Sequence, residues 1–147
     1  MRACLQRVSR ASVTVAGSVV GEIGPGLLIL LGAGPQDTDT VADGLCEKCL
    51  NLRIFPDEEG KMNRSLQDMN GEALVISQFT LYADVRRGNR PGFSDAAPPD
   101  KAERLYDYFC SCVQKKLGRL QTGRFGAAMQ VELVNNGPVT IWLDTEA

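Results

Sequence analysis

The chain has 147 residues, 44% of them hydrophobic and 23% charged, with a net charge of −2 and no histidine. That length predicts one domain, residues 1–147, with a core of ordinary size, and a negative total charge excludes a global electrostatic grip on nucleic acid, so an RNA or DNA partner must be held by a local patch. Without histidine, the usual general base near neutral pH and any Ser-His or Cys-His nucleophile are also excluded.

Residues 2–15 read as a strand, with Ala3, Leu5 and Arg7 on one parity and Cys4, Gln6 and Val8 on the other. Arg7 is then either an exposed strand-end residue or an inward arginine that needs an oxygen partner. Ala16-Gly17-Ser18 predicts a hairpin turn into Val19–Ile23, and Pro25-Gly26 predicts another turn. Leu27–Leu31 is the longest apolar run. It suits a strand buried on both faces and is far too short to span a membrane. No basic stretch followed by an apolar run opens the chain, so the expected location is the cytoplasm. Gly32-Ala33-Gly34-Pro35 lacks the spacing of a phosphate loop. Asp37, Thr38 and Asp39, followed by Val41, Leu45, Cys49 and Leu52 at helical spacing, predict a first helix.

Asn70-Gly71 marks a turn before Glu72–Leu81. Leu74–Ile76 suit a buried strand, and Ser77, Gln78 and Thr80 place polar side chains at its end. Small hydroxyls and free backbone N–H groups there can form an oxyanion pocket, although an ordinary strand end reaching solvent carries the same residues. Residues 83–99 form a turn-rich loop containing Arg86, Arg87 and Arg90, which suit either phosphate contacts or a solvated charge run. Asp100-x-x-Glu103 resembles a capping box. Ala102, Leu105, Phe109 and Val113 predict a second helix, stopped by Gly118. Thr122–Gly126 is loop. Two strand patterns follow, through Val131, Leu133 and Val134 and through Val139, Ile141 and Leu143. Between them Asn136-Gly137 is a two-residue hairpin signal, but Pro138 comes next and has no N–H for a ladder, so it belongs at an edge, a strand start or a bend.

The five cysteines are an odd number, which favours reduced thiols. Cys46-x-x-Cys49 and Cys110-x-Cys112 could together supply a four-thiolate zinc site. Both pairs lie in helical patterns, where cysteine packs as a small hydrophobe, and no metal or cofactor is assigned.

Ser77-Gln78-Phe79-Thr80-Leu81, Thr122-Gly123-Arg124-Phe125-Gly126 and Asn135-Asn136-Gly137-Pro138-Val139-Thr140 closely resemble the D-aminoacyl-tRNA deacylases. Gln6-Arg7-Val8, Arg53-Ile54-Phe55, Gly60-Lys61-Met62-Asn63 and Tyr106-Asp107-Tyr108-Phe109 fit the same family in order and spacing, so the resemblance covers nearly the whole chain. It implies a mixed, β-rich α/β fold: barrel-like, mostly antiparallel sheets with two main helices packed outside. It implies a cytoplasmic homodimer that hydrolyses the ester between a D-amino acid, or glycine, and the 3′ end of tRNA. The implied partner is that aminoacylated end, with no DNA, no membrane and no cofactor. In such enzymes Ser77, Gln78, Phe79 and Thr80 would line the catalytic site. Gly137-Pro138 would be a cis pair that reaches into the partner subunit's site and excludes L side chains. Arg7 would fix that pair, while Phe125 and Met129 would shape the pocket for the terminal adenosine. Ala128 and Asn136 depart from the family pattern, where aspartate is often expected, and a protein-side base nearby becomes harder to find. A non-catalytic RNA-binding module and a zinc-stabilised interaction protein are the rival readings.

Overall fold

The computed structural model describes all 147 residues. Eight strands and two helices follow one another as β1 (Arg2–Val15), β2 (Ser18–Ile23), β3 (Gly26–Gly32), α1 (Asp39–Asn51), β4 (Phe55–Pro56), β5 (Met62–Arg64), β6 (Glu72–Ser77), α2 (Pro99–Leu117), β7 (Gln121–Thr122) and β8 (Gln130–Asp144). A 3-10 turn, Phe79–Tyr82, follows β6.

The long strand β1 organises the sheet. Its second half pairs antiparallel with β2, its first half with β3, and its opposite edge with β8. The β1–β2 turn puts both Ala16 and Gly17 at positive φ, the backbone of a tight primed hairpin turn. From β3 the sheet continues through two parallel contacts, β3 with β6 and β6 with β7. The sheet curls until β2 comes beside β7. Glu22 N–H donates to the Gln121 side-chain oxygen at 3.4 Å, and a Cβ on Gly21 would lie 2.7 Å from the Thr122 carbonyl oxygen. The result is a nearly closed, barrel-like sheet.

Alternation along the strands separates two cores. Val8, Ala11, Val13, Ile23, Leu28, Leu74 and Ile76 form the smaller one, on one face of the sheet. The opposite residues of the same strands, among them Leu5, Leu27, Ile29 and Val75, pack against the two helices. Each helix offers one apolar stripe to that face: Leu45, Cys46, Cys49 and Leu50 from α1, and Leu105, Tyr106, Phe109 and Val113 from α2. Cys46 and Cys49 are core residues with thiol pKa values pushed up to about 12 by burial. No three of the chain's Cys, Asp and Glu side chains converge as a metal-holding group. No helix is long and apolar enough to cross a membrane.

Two local expectations need correction. The Asn136-Gly137 signal does not make a hairpin. Both flanking strands belong to β8 and pair in the same direction with β1, Asn135 opposite Val8 and Thr140 opposite Gln6. Asn136–Val139 therefore stand out as an enlarged bulge opposite Arg7 alone. A hairpin would need the two halves of β8 to pair with each other, and β1 already takes that edge. The second correction concerns α2, which is capped by no side chain. Pro98 is its N-cap and Pro99 its first residue, so the two prolines set the start ahead of Asp100.

Candidate active site

The parallel β3–β6 ladder brings Ser77 to the end of the sheet opposite Leu31, and Gln78 N–H extends the ladder by donating to the Leu31 carbonyl at 2.8 Å. Behind this strand end, the buried Tyr106 hydroxyl donates to the Val75 carbonyl at 2.8 Å and so ties α2 to β6. Burial holds that hydroxyl well above its ordinary pKa, so it stays protonated. The chain then turns into the 3-10 segment. The first N–H groups of such a turn, here those of Phe79 and Thr80, have no acceptors inside it. Gln78 at its N-cap makes no side-chain cap bond. Its amide instead donates to the Thr80 hydroxyl oxygen.

This strand end forms one wall of a cavity of about 570 Å³. Ile76, Ser77, Gln78 and Phe79 line it from β6 and the 3-10 turn. Phe125, Gly126, Ala127 and Met129 line it from the segment before β8. Phe93, Ala97, Pro99 and Ala102 close it from the loop and first turn of α2. Phe125 packs on Tyr106 with ring centroids 6.1 Å apart, and the Met129 sulfur accepts the Arg124 N–H at 3.4 Å. Five residues expected at the site, Ser77, Gln78, Phe79, Phe125 and Met129, thus share one cavity despite the sequence distance between them. Thr80 is exposed next to it but does not line it. Not one lining residue is ionisable. The wall offers a hydroxyl, an amide and backbone groups, set in a largely apolar surface.

Gly137, Pro138 and Arg7 lie elsewhere, outside the cavity wall. The Gly137–Pro138 bond is cis, and both residues are exposed. Arg7 is half-buried and has the oxygen partners that the inward alternative requires. Its Nε donates to the Asn136 carbonyl at 2.9 Å, and a terminal guanidinium nitrogen donates to the Ile54 carbonyl at 2.6 Å. Asn135 braces the bulge from its other side: its side-chain oxygen accepts the Val139 N–H at 2.8 Å, and its amide donates to the Thr140 hydroxyl at 3.2 Å.

Sequence reasoning missed two contributors. Asn135 carried a usable signal, since an asparagine next to a backbone insert commonly hydrogen-bonds the chain a few residues on. Phe93 lay hidden in a polar, turn-rich loop. It meets Phe79 edge-on with ring centroids 5.0 Å apart, and both rings are exposed at the cavity.

The sequence profile of the family described as D-Tyr-tRNA(Tyr) deacylase matches residues 4–144. A D-aminoacyl-tRNA deacylase of Ruegeria pomeroyi is 60% identical over 144 residues, covering 98% of this chain and 99% of that one. Another, from Roseiflexus sp. strain RS-1, is 63% identical over 145 residues, covering 99% and 94%. Among solved structures, a protein described as a c-Myc DNA Unwinding Element Binding Protein superposes with a TM-score of 0.93 at 44% identity, with 98% of each chain covered. With the profile running through β1 to β8 and relatives this similar over nearly their whole length, the chain belongs to the D-Tyr-tRNA(Tyr) deacylase family.

Proposed function

We propose that the chain is a D-aminoacyl-tRNA deacylase that cleaves the ester to the terminal ribose without any ionisable protein side chain. The observation that carries this reading is the cavity itself: family residues converge on it, and none of its wall titrates. An aminoacyl ester is an activated substrate with a ribose hydroxyl beside it, so orientation, oxyanion stabilisation and access for water are what a catalyst must add.

In this mechanism the terminal adenosine enters between Phe125 and Met129. The ester carbonyl lies against the strand end, where the N–H groups of Phe79 and Thr80 receive its developing negative charge. Ser77 and Gln78 orient the ester. The neighbouring 2′-hydroxyl of the RNA assists the attacking water. Water adds to the carbonyl carbon, the bond to the 3′-oxygen breaks, and the water's proton ends on that oxygen. The products are a free D-amino acid and a tRNA with its 3′-hydroxyl restored. Thr80 is not the nucleophile in this scheme: its oxygen accepts the Gln78 amide, and no base hydrogen-bonds its hydroxyl.

Selection against L substrates would come from exclusion. The Asn136–Val139 bulge, braced by Arg7 and Asn135, leaves Gly137 and Pro138 exposed and outside the wall of the chain's own cavity. That placement supports a reading in which the bulge serves the cavity of a second copy in a homodimer. Its carbonyls would fill the space beside the substrate's Cα that an L side chain needs. D side chains point outward, so tolerance among them is broad.

The test is incubation of matched D- and L-tyrosyl-tRNA with the purified protein, with and without a chelator. D-selective release that survives chelation is the expected result. Binding without release would indicate an RNA-binding module, and loss of folding on chelation would indicate a zinc-dependent protein.

A further inference from the structure

The segment after the 3-10 turn is a small hairpin. Asp84 and Gly92 exchange both backbone hydrogen bonds, at 2.8 and 2.9 Å. The chain between them carries Arg86, Arg87 and Arg90, all exposed. They are not equivalent. Arg86 makes a two-point ion pair with Asp84, both bonds 2.8 Å, and Asp95 adds its field at the same guanidinium. Its charge is therefore matched within the hairpin. Arg87 and Arg90 have no ion-pair partner anywhere in the chain.

The hairpin's base is attached to the cavity. Phe93 follows Gly92 directly, lines the cavity and packs on Phe79. The tip lies about three residues out, roughly 10 Å at strand spacing, before the reach of an arginine side chain is added. A chain of net charge −2 thus places two unmatched positive charges one short hairpin from its ester site.

Resting on the deacylase reading above, we propose that Arg87 and Arg90 grip the backbone phosphates of the nucleotides next to the acylated 3′ end of tRNA, with Arg86 held back by Asp84 to keep the hairpin in shape. Phosphate contacts of this kind position the substrate and read no sequence. They would let one enzyme accept many tRNAs while a weak, largely apolar cavity receives only the last nucleoside.

The experiment compares wild type, the double variant Arg87→Gln/Arg90→Gln, and Arg10→Gln, which changes one charge at an exposed residue of β1 paired with Glu132. Two substrates are used: D-tyrosyl-tRNA from 0.1 to 1 M salt, and the 3′-D-tyrosyl ester of adenosine, which has no phosphate. Each single-strand phosphate contact contributes about 0.7 to the slope of log affinity against log salt. Losing two contacts flattens the slope by about 1.4, equivalent to a KM for tRNA roughly 25-fold higher at 0.1 M salt, with the gap closing towards 1 M. The defect should be confined to the tRNA substrate. Equal salt slopes for wild type and double variant, an equal defect on the nucleoside ester, or the same loss from Arg10→Gln would each overturn the proposal. If wild type cleaved neither substrate, the deacylase reading itself would fall, an outcome distinct from the grip failing.

Discussion

Replacing Arg7 tests how the bulge on β8 is held. The guanidinium spans two backbone oxygens that lie far apart in sequence, Asn136 on the bulge and Ile54 after α1, at 2.9 and 2.6 Å. A hydrogen bond to a charged group contributes about 1.5–3 kcal/mol. The bond to Asn136 is exposed and is discounted to about 1 kcal/mol for solvent screening. The bond to Ile54 is partly buried and keeps about 2 kcal/mol. Arg7→Ala should therefore cost about 3 kcal/mol in all, of which only the bond to Asn136, about 1 kcal/mol, restrains the bulge directly, so the loss of D-over-L selectivity should be roughly fivefold. Arg7→Lys should recover only part of this, because a single ammonium cannot match the fork that reaches both carbonyls. The assay is kcat/KM for D- and L-tyrosyl-tRNA measured side by side, with thermal melts to follow folding. Wild-type selectivity, within about twofold, in a folded Arg7→Ala protein would refute the claim that Arg7 positions the filter.

Thr80→Ala should keep deacylation within about tenfold of wild type, since the hydroxyl has no base to activate it. Complete loss of activity in single-turnover assays, with the fold intact, would make Thr80 the nucleophile. Because no ionisable group lines the cavity, the only inflection of kcat between pH 6 and pH 8 should be that of the substrate's own α-amino group, and it should vanish with an N-acetyl-D-tyrosyl-tRNA. An inflection that persists with the acetylated substrate would reveal a protein acid or base. Cys46 and Cys49 should resist alkylation at pH 8 in the native protein and react on denaturation, with mass spectrometry locating the modified thiols. Their linkage to stability has a definite sign. The folded pKa, about 12, lies above the unfolded thiol value, so the folded state holds these protons more tightly. Their contribution is intact below the ordinary thiol range and falls as pH rises from about 9 towards 12, so melting temperatures should drop across that window. A melting temperature unchanged from pH 8 to pH 11 would contradict it.

Much of the architecture could be read from periodicity. The alternation predicting a strand over residues 2–15 corresponds to β1, and the 3.6-residue spacing of Val41, Leu45, Cys49 and Leu52 to α1, with only Leu52 falling past its end. Cys46 and Cys49 pack as core residues, as their helical positions imply. Pairing was not legible, because it is not local. Asn136-Gly137 has the composition of a hairpin turn, but nothing near it tells that both flanks pair with β1. Long-range geometry also hid part of the site. Met129 and Phe125 reach Ser77 only after β6 and β7 align in parallel, and Phe93 joins them through a loop whose polar residues conceal its role. The three loop arginines look alike in sequence. Only the structure separates Arg86, matched by Asp84, from Arg87 and Arg90.

Single-turnover hydrolysis of two D-tyrosyl-tRNAs, identical except that one ends in 2′-deoxyadenosine, bears most directly on a catalyst without ionisable side chains. In the proposed mechanism the 2′-hydroxyl supplies the assistance, so the deoxy substrate should bind with similar affinity and react slower by about a hundredfold or more, the usual scale of proton-transfer assistance. Equal rates on the two substrates would contradict RNA-assisted catalysis.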